Sequence, residues 1–154
     1  MRNQLSPQDG IRKADMYKKI ITGYDGSERA LRAVEQAADL ATATGAALHL
    51  VSACSKKDTI YSVGESTDKR YLSDSEIAQD QLNNIASKFN HLEITTAVVP
   101  GAPAQVLIKE AELVGGDLIL VGNRHVQGIS RVLGSVAEDV AHKAPCAVLI
   151  AKTA

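Results

Sequence analysis

The chain has 154 residues, of which 45% are hydrophobic and 23% are charged, and this composition predicts one folded domain with a hydrophobic core. Its 17 Lys and Arg residues and 18 Asp and Glu residues leave a formal net charge of −1, so it lacks the basic excess typical of nucleic-acid-binding proteins. With one Phe, four Tyr and no Trp, it also lacks a set of aromatic side chains on which single-stranded bases could stack.

The first part of the chain, residues 1–16, is polar and aperiodic. We expect it to be a flexible N-terminal tail, and we expect the folded domain to span residues 17–154. The tail lacks the apolar centre of a signal peptide, and no run of about eighteen apolar residues occurs, so we expect a cytoplasmic protein without a membrane partner. The two cysteines, Cys54 and Cys146, form no C-x-x-C pair, which favours a reducing compartment.

The first predicted strand and helix lie between Tyr17 and Gly45. The segment YKKIITGY predicts a short strand, and the D-G-S that follows it predicts a turn with Ser27 as the helix N-cap. Apolar residues then recur at the spacing of one helical face, and Gly45 predicts the helix end. The apolar positions of this helix are Ala30, Leu31, Val34, Ala37, Ala38 and Ala41.

Strands and helices continue to alternate along the rest of the chain. ALHLVSA predicts a second strand, whereas residues 55–73 are polar, contain seven charged side chains and predict a long loop. The remaining predicted elements are a helix over 74–88, the strand HLEITTAVV, a helix over 104–114, the strand DLILVG, a loop over 123–133, a helix over 135–143 and the strand CAVLIA. Five strands that alternate with four helices predict a parallel sheet with helices on both faces.

In a sheet of this kind, ligands bind beyond the carboxyl ends of the strands, so the loops there are the first candidates for function. The loop G-Y-D-G-S, Gly23–Ser27, places an acidic side chain between a strand and a helix N-terminus. Asp25 could accept hydrogen bonds from a ribose or hold Mg²⁺. Alternatively, its carboxylate forms the turn by accepting hydrogen bonds from nearby backbone amides.

A second candidate loop runs from Gly122 to Ser135 and contains glycines 122, 128 and 134. Glycines allow close approach of the backbone to a phosphate, and the amides of a helix N-terminus, together with the Ser135 hydroxyl, favour an anion. Arg124 and Arg131 add positive charge. The alternative is a long connection whose last glycine and serine only cap a helix.

Standard nucleotide and nucleophile motifs are absent, because the chain contains no G-x-x-x-x-G-K-[ST], no G-x-G-x-x-G and no G-x-S-x-G. The positions of His49 and His91 in or beside predicted strands favour packing or surface roles. His142 lies where it would favour a helix C-terminus. Only His125 lies in the second candidate loop.

Three separated segments, KKIITGYDGS, LILVGN and GISRVLGSVAEDVAHKAPCAVLIA, resemble the universal stress protein family over about residues 17–152. The resemblance implies a single-domain, Rossmann-like α/β fold of the adenine nucleotide alpha hydrolase-like type. Its five-stranded parallel sheet would have the order 3-2-1-4-5, with helices on both faces, so that Asp25 lies near Gly122. The family also joins two subunits through the final strand, here Cys146–Ala151, which implies a homodimer.

Nucleotide-binding members of that family have the motif G-x-x-G-(nine residues)-G-[ST], whose amides and final hydroxyl hold the phosphates of ATP. The resemblance implies this role for Gly122, Gly134 and Ser135, and it implies that Asp25 holds the ribose. The expected ligand is ATP with Mg²⁺. The nucleotide-binding residues that we derive from the resemblance and the two loops are Gly23, Asp25, Leu50, Val51, Val121, Gly122, Arg124, His125, Gly128, Gly134, Ser135 and Val136.

The chain departs from this motif at its second glycine, because position 125 is His125 and the spacer to Gly134 has eight residues rather than nine. A side chain at a position that requires glycine would cost about 1 kcal/mol or block a phosphate. Alternatively, His125 and Arg124 donate new hydrogen bonds to a phosphate, and Gly128 supplies part of the missing flexibility.

Two classes of function follow from these observations. In the first, the protein is a stress-response protein that binds ATP as a regulatory ligand, with cyclic AMP as a variant ligand because it needs room for only one phosphate. The chain shows no evident general base, so any ATP hydrolysis is expected to be slow. In the second class, the protein is a nucleotide-free dimeric signalling module, which His125 and the shortened spacer favour.

Overall fold

A computed structural model describes residues 16–57, 60–63, 70–123 and 133–153 of the protein. In these residues, a five-stranded parallel sheet is covered by helices on both faces, and a separate two-stranded sheet is antiparallel. The elements are β1 (Lys19–Gly23), α1 (Glu28–Thr44), β2 (Ala47–Cys54), β3 (Ile60–Val63), β4 (Arg70–Ser73), α2 (Asp74–Ser87), β5 (Ile94–Pro100), α3 (Pro103–Val114), β6 (Leu118–Asn123), α4 (Ser135–Lys143) and β7 (Ala147–Lys152).

Local sequence signals set both ends of α1. The Ser27 side chain accepts a hydrogen bond from the Ala30 amide at 3.1 Å, which confirms Ser27 as the N-cap. At the other end, Gly45 adopts a left-handed φ of 75° and donates its amide hydrogen to the Ala41 carbonyl. A residue with a Cβ atom is strained at that φ, so the glycine ends the helix where the sequence predicts.

The main sheet has the strand order β5-β2-β1-β6-β7, and all of its neighbouring strands are parallel. Counted along the main sheet alone, this is the predicted order 3-2-1-4-5. The chain winds outward from β1 through α1 and α2 on one face, and then returns through α3 to β6 on the other face. The winding therefore reverses between β1 and β6, and their carboxyl ends form the crevice in which ligands of such folds bind.

The register of the strands divides the buried side chains into two layers. Thr22 is aligned with Leu50 and Leu120, which pack beneath α1 and α2, whereas Ile21 is aligned with His49 and Ile119 on the face covered by α3 and α4. Successive strand residues point to opposite faces, so each strand contributes to both layers. The strands are mostly apolar because both faces of the sheet are covered.

One polar cluster lies inside the second layer. The buried side chains of His49 on β2 and Glu110 on α3 are within hydrogen-bond distance, with 2.9 Å between Nε2 and Oε2. On the other side of the ring, His49 Nδ1 lies 2.6 Å from the Thr95 hydroxyl on β5. Both ring nitrogens therefore have a partner, as a buried imidazole requires.

The predicted loop over residues 55–73 is wrong in part, because β3 and β4 lie within it. They pair as antiparallel strands, with Ile60 aligned with Ser73 and Val63 aligned with Arg70. Each strand has only four residues. Strands this short in a charged segment show no period-two hydrophobic pattern, so the sequence does not reveal them. The described residues thus contain seven strands rather than the five predicted.

Some sequence predictions concern residues outside the described ranges. The predicted tail lies outside them except for Met16, and so do residues 124–132 of the predicted loop before α4. The domain boundary at residue 17 therefore stays a prediction. Among the described helices, none combines the length and the hydrophobicity that are needed to cross a membrane.

Candidate functional site

A cavity of about 780 Å³ opens at the carboxyl ends of β1 and β6. Its walls come from the strand ends, from the first turns of α1 and α3, and from the start of α4. This position is the point at which the winding of the sheet reverses, and the volume is typical of small-molecule sites. Because the strand ends and three helix starts meet here, the cavity is the candidate site of the fold.

Half of the residues predicted from the sequence line this cavity. They come from four separate parts of the chain, which the sheet brings together: Gly23 at the end of β1 with Asp25 in the loop after it, Val51 in β2, Val121 and Gly122 in β6, and Val136 in α4. Because β1 and β6 are neighbouring strands, the loop after β1 lies beside the end of β6.

Asp25 has the turn-forming role that the sequence left open. Its Oδ1 atom accepts a hydrogen bond from the Ser27 amide at 2.9 Å. Between them, Gly26 has a φ of 86°, which makes a glycine necessary in this tight turn. The turn also orients the carboxylate at the wall of the cavity, so the structural role of Asp25 and the proposed ligand-binding role are compatible.

Leu50 does not line the cavity, although the sequence paired it with Val51. Its side chain is fully buried beneath α1 and α2, in the layer that also contains Leu48 and Leu120. Alternation along β2 turns neighbouring side chains to opposite faces, so only Val51 of the pair reaches the cavity.

Asn123 joins the two ends of the segment between β6 and α4. Its Oδ1 atom accepts a hydrogen bond from the Gly134 amide at 3.2 Å. Gly134 is the N-cap of α4 and Ser135 its first residue, and no side chain in the described part of the chain caps this helix. Gly134 and Ser135 are thus held next to the end of β6, close in sequence to the cavity-lining Val136.

Gly122 lies against Thr153, the residue that follows β7. A Cβ atom at Gly122 would come within 3.0 Å of the Thr153 Cγ2 atom, a distance at which one of them must move. Thr153 is itself buried, and its hydroxyl donates a hydrogen bond to the Asn123 carbonyl at 3.1 Å. The close approach of Thr153 leaves little room for a side chain at position 122. Of the remaining predicted residues, Arg124, His125 and Gly128 lie outside the described residues, as does Arg131.

A profile of the Universal stress protein family matches residues 16–152, which is most of the chain. The chain belongs to the universal stress protein family. Among related proteins, a universal stress protein of Methanocaldococcus jannaschii is 30% identical over 145 residues, which cover 90% of this chain and 84% of that protein. A putative universal stress protein of Staphylococcus haemolyticus is 29% identical over 143 residues, which cover 89% and 86% of the two chains.

Solved structures of universal stress proteins have the same fold. A universal stress protein in complex with cAMP is 30% identical and has a TM-score of 0.66, with 90% of this chain and 98% of that chain covered. The universal stress protein of Archaeoglobus fulgidus in complex with dAMP is 25% identical and has a TM-score of 0.62, with 88% and 98% covered. Proteins of this family with similar sequences thus bind adenine nucleotides.

Sequence reasoning missed several of the residues that line the cavity described above. Arg29 and Arg32 on α1 and Thr153 after β7 line it, and α3 adds an apolar wall of Pro103, Val106 and Leu107. The helical period that starts at Ser27 could have placed both arginines on the edge of the buried face of α1. No sequence signal indicates Thr153, because its position depends on contacts with distant parts of the chain.

The described residues provide few metal ligands. No group of three or more His, Cys, Asp or Glu side chains that could hold a metal ion occurs among them. Mg²⁺ at nucleotide sites commonly binds one or two carboxylates and takes its other ligands from phosphates and water. Asp25, which lines the cavity, fits that pattern as a single protein ligand for Mg²⁺ bound together with a nucleotide.

Proposed function

We propose that this universal stress protein binds an adenine nucleotide, ATP, as a regulatory ligand in the cavity between Asp25 and Gly122. The observation that carries the proposal is the cavity of about 780 Å³ at the reversal point of the sheet, where the loop after β1 meets the end of β6. Two family members with the same fold, in complex with cAMP and with dAMP, support the choice of an adenine nucleotide.

The chemistry of the walls fits the three parts of a nucleotide. The apolar surface of Val51, Val106, Leu107 and Val121 suits an adenine ring. The Asp25 carboxylate suits the ribose hydroxyls, and it would also hold Mg²⁺ that accompanies the phosphates. The amides at the start of α4 suit the phosphates, because a helix N-terminus attracts anions.

Cyclic AMP is the second candidate ligand, and one observation favours it. The similar structure in complex with cAMP is 30% identical to this chain, and the match covers 98% of that protein. In either case the nucleotide is proposed as a regulator rather than a substrate to be turned over quickly. We also propose that the protein works in the cytoplasm as a homodimer joined through residues 146–151, as the family resemblance implies.

Isothermal titration calorimetry with ATP, ADP, AMP and cyclic AMP tests the proposal. We expect saturable binding of at least one of them, and the order of affinities separates ATP from cyclic AMP. The variant Asp25→Asn keeps an oxygen for the Ser27 amide but loses the charge, so we expect about tenfold weaker binding.

The matched control is Asp39→Asn, which makes the same change on an exposed part of α1 outside the cavity. The control should bind like the wild type. Absence of heat with all four nucleotides, together with absence of adenine in the denatured, purified protein, would overturn nucleotide binding in favour of the nucleotide-free module.

A further inference from the structure

One face of α1 contacts the last residue of β7 and the residue that follows it. Arg29, Arg32 and Gln36 are spaced at i, i+3 and i+7, so they lie along the same side of the helix. Arg32 Nη1 donates a hydrogen bond to the Thr153 carbonyl at 3.2 Å, and Gln36 Nε2 donates one to the Lys152 carbonyl at 3.4 Å. This side of α1 therefore faces the carboxyl end of β7.

The two arginines have cationic groups that the described residues do not neutralise. Both line the cavity, and Arg29 lies one turn nearer the start of α1 than Arg32. Within the described ranges, the contact of His49 with Glu110 is the only one between a basic and an acidic side chain, so no described carboxylate pairs with either arginine. Arg32 uses one of its five donors on a neutral carbonyl, and the others remain available to a ligand.

The position of Thr153 places these donors beside the proposed phosphate site. The side chain of Thr153 lies against Gly122, and its carbonyl accepts the hydrogen bond from Arg32. A guanidinium binds a phosphate oxygen more strongly than a neutral carbonyl, because both groups are charged and two parallel hydrogen bonds can form. An anion at Gly122 would therefore compete for Arg32.

We propose that Arg29 and Arg32 bind the phosphate of the nucleotide, and that Arg32 exchanges the Thr153 carbonyl for a phosphate oxygen when the nucleotide binds. The proposal rests on the proposed function and names the residues of α1, outside the glycine motif, that recognise the charge of the ligand. Phosphate binding would then change the contacts at the end of β7, because the Thr153 carbonyl loses its hydrogen bond from Arg32.

Titration with AMP and with adenosine separates phosphate recognition from recognition of the base and sugar. We expect Arg29→Gln and Arg32→Gln each to weaken AMP binding about tenfold and to leave adenosine binding unchanged. The control is Lys109→Gln, which removes a positive charge from an exposed position of α3 outside the cavity. This control should bind both ligands like the wild type.

Arg29→Gln separates ligand recognition from loss of a structural contact. Arg29 makes no hydrogen bond or ion pair to any described residue, so its replacement removes no such contact from the fold. Unchanged AMP affinity in both variants would overturn the arginine proposal while nucleotide binding itself stands. Failure of the wild type to bind any of ATP, ADP, AMP and cyclic AMP would instead overturn both proposals.

Nuclear magnetic resonance tests the exchange of partners directly. The Nε–Hε resonance of Arg32 should shift on addition of AMP and should stay in place on addition of adenosine. An Arg32 resonance that responds equally to both ligands would contradict the exchange.

Discussion

His49 and Glu110 join β2 to α3 through two side chains inside an otherwise apolar layer. The residues are 61 positions apart in sequence, and their contact at 2.9 Å is buried. Removing one partner leaves the other without its hydrogen bond in an environment from which water is excluded, and that loss costs more than the bond contributes. The pair therefore links α3, which forms one wall of the cavity, to the interior strand β2.

We expect Glu110→Leu to lower the free energy of unfolding by about 2 kcal/mol, because His49 Nε2 loses its buried partner. The double variant His49→Val with Glu110→Leu should recover most of that loss, since two apolar side chains replace the pair and leave no orphaned nitrogen. Urea denaturation monitored by circular dichroism measures both. A single variant as stable as the wild type would show that the pair contributes nothing.

Sequence reasoning gave His49 a packing or surface role, but it could predict neither the burial of the side chain nor its partner. The expectation of a packing or surface role followed from its place in a strand, which is local information. Glu110 belongs to a helix that reaches β2 only through the crossover of the whole α/β unit. The same holds for Arg32 and Thr153, which are 121 positions apart and meet only because β7 lies beside β6.

The turn between α3 and β6 shows how tightly a helix is set against the sheet. Gly115 ends α3 with a φ of 68°, and Gly116 then approaches β1. A Cβ atom at Gly116 would overlap Cδ1 of Ile21 and lie 2.7 Å from its Cγ1. Because Ile21 is fully buried, it has little room to move away.

We expect Gly116→Ala to lower the free energy of unfolding by about 2 kcal/mol, because the added methyl group forces the buried Ile21 aside. Ile21→Val removes the Cδ1 atom and costs about 1 kcal/mol by itself. In the double variant, the combined loss should be smaller than the sum of the two single losses, since removal of Cδ1 relieves the shorter of the two close contacts with the alanine. Chemical denaturation of the four proteins gives the coupling energy, and strict additivity would contradict the steric explanation.

Elements with strong local signals are the ones that sequence reasoning predicted. Ser27 and Gly45 mark the ends of α1 through hydrogen bonds to residues at most four positions away, so these signals are visible in sequence. The strands of the main sheet, which are mostly apolar, are likewise evident. In contrast, β3 and β4 depend on pairing with each other across residues that carry no apolar alternation.

Across the whole molecule, the sheet has an edge at β7, which pairs with β6 on one side. Leu149 is 38% exposed on this strand, and Val148 and Ile150 are half-buried. An apolar edge strand offers unpaired backbone groups and apolar side chains to a second chain. This edge is where the proposed homodimer would form.

We expect light scattering to give twice the chain mass of 16.3 kDa. Leu149→Lys should shift the protein toward the monomer, because a charge would be buried at the edge. The control is Ile60→Lys, a similar change at an exposed apolar residue of the separate β3–β4 sheet. A wild type with the mass of one chain, or equal behaviour of the two variants, would contradict a dimer through β7.

The contact of Thr153 with Gly122 has a practical consequence for any experiment on this protein. Polypeptide joined after Thr153 leaves the fold from the rim of the cavity, whereas the chain enters β1 at the opposite end of the sheet, where Asp117 accepts hydrogen bonds from the Lys18 and Lys19 amides. A purification tag fused at the C-terminus would be tethered next to the proposed nucleotide site, and its histidines would compete for the phosphates of a ligand there. Affinity measurements therefore call for a tag at the N-terminus.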